Sequence, residues 1–338
     1  MKRRNFISGA SAIIASPAFA QSKAREVAIG AYVIPGSPSE VLFNDYARKI
    51  AADSKGALAP NMLIHGEGGS EEQVLTAIRR GRIHVASLST LVLSSIIPEM
   101  ALLSAPYLFD SIPEFDFVLE NTIIPRANAL AADKGLVALR WIELGPQNLY
   151  SKKPIVTPDQ IKNVRIRVSQ DTAAKAFMEA LGADVIYLAS PDVLPSLQTG
   201  LIEGGITPTI AYAQTGLPPE APHFTLFEYT EIGNLLVAGK SWLESLPADQ
   251  ADLIKGAFAP NAEIRTVLRG LAADALARQK EYGFTAHALT PDQMAQWRAI
   301  GQSTIKPLIE EIGGKSQELY DAIQAGRQQF AAQRKSPA

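Results

Sequence analysis

The first ninety or so residues switch repeatedly between two spacings of apolar positions. Residues 26–31 alternate at strand period and run into Pro35-Gly36-Ser37-Pro38. Ser39 is placed to cap a helix whose Leu42, Phe43, Tyr46, Ala47 and Ile50 share one face. Met62-Leu63-Ile64 predicts a second strand, followed by the glycine-rich Gly66-Glu67-Gly68-Gly69. Ser70 then caps a helix that buries Val74, Ala77 and Ile78 and stops at Gly81, and residues 85–88 predict a third strand. Alternating strands and helices imply a largely parallel sheet, whose ligand edge lies at the carboxyl ends of its strands.

The same alternation returns after residue 157. Pro158-Asp159-Gln160 marks a turn, Val164-Arg165-Ile166-Arg167-Val168 alternates as a strand, and residues 171–181 have helical spacing up to Gly182. A short strand at 185–188 leads into a helix begun by Ser190-Pro191 and ended at Gly200. Arg167 stands out because Ile166 and Val168 beside it are positions for burial. A guanidinium there cannot shed its charge and needs an anion or a dense set of hydrogen bonds. An internal partner, Glu143 or Glu203, is the alternative to a bound ligand.

Further along, residues 136–142 form an apolar strand that carries Arg140 and Trp141 into Gly145-Pro146. The C-terminal part is helical, with an amphipathic pattern over 253–282 broken at Pro260 and a new helix from Thr290-Pro291 that contains Trp297.

The N-terminus changes the picture. Lys2-Arg3-Arg4, a short apolar run and Ala18-Phe19-Ala20 have the order of an export signal covering 1–20, and Arg3-Arg4 admits the twin-arginine route. The apolar run is too short to span a bilayer, and no later stretch reaches that length. The chain has 338 residues and a formal charge of −2, and losing Lys2, Arg3 and Arg4 would make it more acidic. That size suits two domains, and mild acidity argues against nucleic acid or an anionic membrane as partner. No cysteine is present, so disulfides, thiolate chemistry and a lipid-bearing cysteine are excluded. The basic end, Arg334-Lys335-Ser336-Pro337-Ala338, is expected to be a solvated tail.

Four short motifs follow one another in register: Arg165-Ile166-Arg167, Leu181-Gly182-Ala183, Leu197-Gln198-Thr199-Gly200, and Glu203-Gly204-Gly205-Ile206-Thr207-Pro208. This string resembles the signature region of the solute-binding subunits of tripartite ATP-independent periplasmic (TRAP) transporters. Gly69 with the acidic pair after it, Gly81, Ile83, Pro98-Glu99 and Ala105-Pro106-Tyr107-Leu108-Phe109 extend the likeness toward the N-terminus. The resemblance implies an α/β, two-lobe periplasmic-binding-protein fold, with mixed, mostly parallel sheets flanked by helices. It also implies crossing strands near 136–142 and 235–239, and a long C-terminal helix spanning both domains. Each lobe is then discontinuous: 21–144 with 233–272, and 145–232 with 273–338.

The resemblance further implies that Arg167 holds the ligand's carboxylate, and that the protein delivers a small organic anion to a small and a large membrane subunit driven by an ion gradient. Where many members carry a second arginine this chain has Gln147, and where they have an acidic residue and asparagine it has Ile206 and Thr207. These departures favour a monocarboxylate over a dicarboxylate. Where the family often has aspartate stands His84, expected to act on packing. Ser70, Ser89, Tyr32 and Tyr212 complete the candidate ligand-binding set with Arg167, Gln147 and Thr207; the serines and tyrosines have an ordinary capping or packing role as their alternative, and Gln147 that of a turn residue.

No catalytic constellation is present. His65, His84, His223 and His287 lack metal-ligand spacing, and the 66–69 segment lacks the lysine of a phosphate loop. Glu71 and Glu72 sit where a helix dipole favours them. No cofactor or metal is expected, and a monomer is. The other functions open to such a chain are ligand sensing for a receptor and, from another class, an enzyme acting on a carboxylic acid.

Overall fold

The computed structural model describes residues 24–335; the segment 1–20, expected from the sequence to be an export signal, lies outside the described residues, as do 21–23 and 336–338. Ten strands are found among them: β1 (Arg25–Gly30), β2 (Leu58–Leu63), β3 (Val85–Ser89), β4 (Leu136–Ser151), β5 (Arg165–Val168), β6 (Asp184–Tyr187), β7 (Gly204–Pro208), β8 (His223–Leu226), β9 (Glu231–Gly239) and β10 (Thr285–Ala288). One half of the sheet runs β2-β1-β3-β9-β4, parallel through its first three strands and antiparallel through β9 and β4. The other half runs β6-β5-β7-β4, with β8 on the free edge of β4 and β10 beyond it. Two lobes therefore share one strand.

That strand is β4. Residues 136–146 pair with β9 in the first lobe, and 147–151 pair with β7 and β8 in the second. The sequence places a strand only over 136–142, because Gly145-Pro146 resembles a stop. In the structure Gly145, at φ +99°, sits at a bulge where the register against β9 shifts between Glu143 and Gly145. A bulge bends a strand without ending it.

Helices flank both faces. Helix Pro38–Asp53 buries Phe43, Tyr46 and Ile50 as its spacing requires, and Ser37 rather than Ser39 occupies its cap position, because Pro38 suits the first turn. Helix Thr172–Ala180 is capped by Asp171, whose carboxylate accepts from the Ala173 and Ala174 amides at 3.0 and 3.2 Å. Pro260 does divide the long amphipathic stretch, into Ala248–Gly256 and Asn261–Ala277. The second of these spans both lobes: Ile264 and Leu268 pack with Ile142 and Leu236 in the first, and Leu276 packs beside Tyr150 and Tyr212 in the second. The chain then returns to the first lobe, where Leu308, Ile309, Leu319 and Ile323 join Phe115 and Val118.

Candidate functional site

Strand β5 sorts its side chains by parity. Ile166 and Val168 enter the second-lobe core with Phe177 and Trp297, so Arg165 and Arg167 take the opposite face. Arg165 is tied down, donating to the carbonyls of Leu201 and Gly200 at 3.1 Å each and lying 3.3 Å from Glu203. Among the described residues Arg167 makes one hydrogen bond, from Nε to the Leu188 carbonyl at 3.0 Å. Neither internal acid considered from the sequence pairs with it. Glu143 is held by Arg269 at 2.7 and 2.8 Å, and Glu203 by Arg165. Desolvation lowers the pKa of Arg167, and the nearby Tyr150 opposes that shift.

Gly205 makes this arrangement possible. It lies in register with Arg167 on one side and Tyr150 on the other. A Cβ there would sit 2.3 Å from the Tyr150 hydroxyl and 3.1 Å from Arg167 Cβ, so the phenol lies across bare backbone beside the arginine stem. The Tyr150 hydroxyl is buried with no partner, and burial pushes its pKa up to about 12. Thr207, two residues beyond Gly205 on the same face, pairs with Asn148, whose Oδ1 accepts from the Glu228 amide at 3.1 Å. Gln147 belongs to strand β4 and not to a turn; it is buried, and its Oε1 has no partner. Arg167 and Thr207 thus share one face of adjoining strands, whereas Gln147, in register with Pro208 and two residues from Leu149, starts from the opposite face of β4 where that strand passes between the lobes.

The first lobe contributes the carboxyl ends of its own parallel strands. Ser89 ends β3, donates to Glu71 at 2.6 Å and accepts from the Val92 amide at 3.2 Å. Glu71 is more than a helix-opening acid, since burial raises its pKa while the Ser89 hydrogen bond works against that. Asn234 pairs with Ser89 and donates to Ser87 at 3.1 Å, leaving its Oδ1 buried and unpartnered. Tyr32 follows β1, bridges to His65 and is 50% exposed.

Two candidates have ordinary roles. Ser70 is exposed and forms a capping box with Gln73, accepting from its amide at 3.4 Å while the Gln73 side chain accepts from the Ser70 amide at 2.8 Å. Tyr212 is the clearer correction. It faces inward from helix Thr209–Gln214, stacks on Phe224 at 4.3 Å, and donates to the Ala221 carbonyl at 2.7 Å, so it is core of the second lobe. His84 packs as expected: its Nδ1 accepts from the Ala28 amide at 2.9 Å and its ring stacks on Trp242. Tyr150 and Asn234 are not among the residues singled out from the sequence, and Glu71 is read there only as a helix-opening acid.

Residues 29–312 match the family model of bacterial extracellular solute-binding proteins, family 7, known as DctP. The chain belongs to that family. DctP-family proteins are solute-binding proteins and not enzymes, in keeping with the lack of catalytic motifs in the sequence. Among relatives, the ectoine-binding periplasmic protein TeaA of Halomonas elongata is 25% identical over 272 residues, 77% of this chain and 78% of TeaA. The C4-dicarboxylate-binding periplasmic protein DctP of Rhodobacter capsulatus is 22% identical over 288 residues, 83% and 85% of the two chains. Among solved structures, the sugar acid binding protein DctPAm of Advenella mimigardefordensis, in complex with galactonate, superposes with a TM-score of 0.83 at 24% identity, covering 90% of this chain and 99% of that one. The DctP-type, two-lobe α/β fold is thereby established. No helix among the described residues is long and apolar enough to cross a membrane.

Proposed function

We propose that the protein is the exported solute-binding subunit of a TRAP transporter, and that it captures a small monocarboxylate through Arg167 and hands it to membrane subunits driven by an ion gradient. The observation that carries this is the guanidinium of Arg167, which lies at the carboxyl end of β5 with no carboxylate in contact among the described residues. Desolvated arginine without a counter-charge suits a carboxylate ligand, which its planar fork can meet with two parallel hydrogen bonds. Ligand binding would close the lobes about their crossings, at 144/145 in β4 and 232/233 in β9, where Gly145 supports bending. Export would follow the signal-like segment at 1–20, with the twin-arginine route as one possibility to be tested.

The preference for one carboxylate rests on Gln147. Its amide is neutral and offers both donor and acceptor, so a second anionic group would find no fixed positive charge there. The relatives bind ectoine, C4-dicarboxylates and galactonate on one fold, which is consistent with selectivity set by a few side chains. Ser89, Thr207 and Tyr32 are the further ligand contacts we propose.

A thermal-shift screen with galactonate, ectoine, succinate and aromatic and keto monocarboxylates tests this function. Stabilisation by monocarboxylates above that given by succinate is the expected result. If no organic acid raises the melting temperature, the proposed function fails; if succinate is best, the role given to Gln147 fails alone.

A further inference from the structure

Strand β10 pairs with β8 alone and so forms one edge of the second-lobe sheet. It is short, four residues between the helix that spans the lobes and helix Pro291–Ser303. The register sets His287 opposite Thr225 and His223 opposite Thr285, so the two histidines are diagonal neighbours on one face. Their rings meet. Nδ1 of His223 and Nε2 of His287 are 3.0 Å apart, with ring planes inclined by 36°. Both side chains are half-buried, and among the described residues no carboxylate is in contact with either ring.

A single proton shared between two imidazoles accounts for the short separation, and so does a second chemistry. Two nitrogens each about 2.0–2.1 Å from one ion are about 2.8–3.0 Å apart when they subtend a right angle, and about 3.3–3.4 Å apart at a tetrahedral angle. The observed spacing fits the right angle, the arrangement of tetragonal Cu²⁺ or Ni²⁺, better than the tetrahedral preference of structural Zn²⁺. The affinity order of divalent ions for nitrogen ligands also places Cu²⁺ first.

We propose that His223 and His287 form a two-imidazole site for a tetragonal divalent cation of the Cu²⁺ class, with water in the remaining positions, which fastens edge strand β10 to β8. Each ring binds as a neutral imidazole through the nitrogen that now faces its neighbour, and its proton resides on the other ring nitrogen. No proton is released when both rings are already neutral. The site lies on the second lobe's free edge, so it is separate from the ligand chemistry proposed for Arg167 and independent of it.

The test uses the full chain without an affinity tag, titrated with CuCl₂, NiCl₂ and ZnCl₂ in a non-coordinating buffer. One Cu²⁺ per chain should bind, more tightly than Ni²⁺ and Zn²⁺, with a two-nitrogen signature by electron paramagnetic resonance. His223→Gln or His287→Gln should each weaken Cu²⁺ binding by about tenfold or more, the double variant should lose little beyond either single one, and His65→Gln should bind as the parent does. In the unmutated chain Cu²⁺ should also slow amide exchange in Thr285–Ala288, a readout that needs no variant to fold. Binding that survives both substitutions, tighter binding of Zn²⁺ than Cu²⁺, or unchanged exchange in β10 would overturn the proposal.

Discussion

Replacing Arg167 by alanine separates a ligand-binding arginine from a structural one, because the two roles predict opposite changes. Without ligand, the substitution removes one charge-assisted hydrogen bond, to the Leu188 carbonyl at 3.0 Å, worth about 1.5–3 kcal/mol. It also removes the desolvation penalty of a guanidinium held without a counter-charge, which is of the same order and opposite in sign. The two nearly cancel, so unliganded stability should change by no more than about 1–2 kcal/mol, a few degrees in Tm for a chain of this size. With ligand bound, the same change leaves a carboxylate in a closed cleft without its partner. Stranding a buried charge costs about 3–5 kcal/mol, which weakens Kd by roughly 150- to 5,000-fold. Isothermal titration with the acid that stabilises the parent most, beside melts of both unliganded proteins, measures both quantities. Arg167→Lys should fall between, since the charge remains and the fork is lost. A Kd within about threefold of the parent, or an unliganded Tm lower by more than about 10 °C, would show that Arg167 serves the fold.

Three other predictions concern the surrounding groups. Gln147→Arg should move preference toward ligands with a second carboxylate, read as a larger thermal shift with succinate relative to monocarboxylates; an unchanged ranking would remove Gln147 from the pocket. Tyr150→Phe deletes a buried hydroxyl that has no partner, so it should raise unliganded stability by up to about 1 kcal/mol, and a clear loss in denaturant melts would mean the hydroxyl is bonded. Unliganded stability should also fall between about pH 6 and pH 9. Burial raises the Asp171 carboxyl to about 7, and burial with Glu143 alongside raises Glu231 to about 8, whereas both titrate near 4 when unfolded. Their protonated forms therefore stabilise the fold in full at acid pH, and that contribution is lost as pH rises through about 7 to 8. His84 and His287, whose pKa values burial lowers, act in the opposite sense only below about pH 6.5. Chemical melts at pH 6, 7.5 and 9 would contradict this if stability held constant or rose, and Asp171→Asn should shrink the slope.

What could be read from the sequence was local, and what could not depends on contacts between distant segments. The face occupied by Arg167 follows from the parity of four residues, and the helix starts at Ser70 and Thr290 follow from one turn each. The long strand was different. Gly145-Pro146 has the chemistry of a stop, and only pairing on to Ser151 with β7 and β8 makes it a bulge. With β4 cut short, Tyr150 had no sheet position, and its place over Gly205 was invisible. Glu71 is legible as a helix-opening acid, but its burial depends on Ser89, eighteen residues later, meeting it at 2.6 Å. Tyr212 failed for the converse reason. Its nearness to the Gly-x-x-x-Pro turn suggested the cleft, yet a helix begins at Thr209 and turns that position onto Phe224.

The positions of the unpaired polar atoms bear on why this site is built as it is. Folded proteins leave few buried donors or acceptors without a partner, and each one costs about 1–3 kcal/mol. Among the described residues, five of the nine such side-chain atoms fall on β4 and β9, the two strands that cross between the lobes: Trp141 Nε1, Gln147 Oε1, Tyr150 Oη, Glu231 Oε2 and Asn234 Oδ1. Arg167 adds a guanidinium with a single carbonyl for company. A chain selected for stability alone would bury apolar side chains of similar volume there, as it does at Leu149 on β4 and Leu236 on β9. If the lobes close about these strands as proposed, unmet hydrogen bonds there raise the free energy of the unliganded state. On the proposed closure, a ligand that met several of them at once would gain more than the same contacts would give on an open surface, because water would be excluded there.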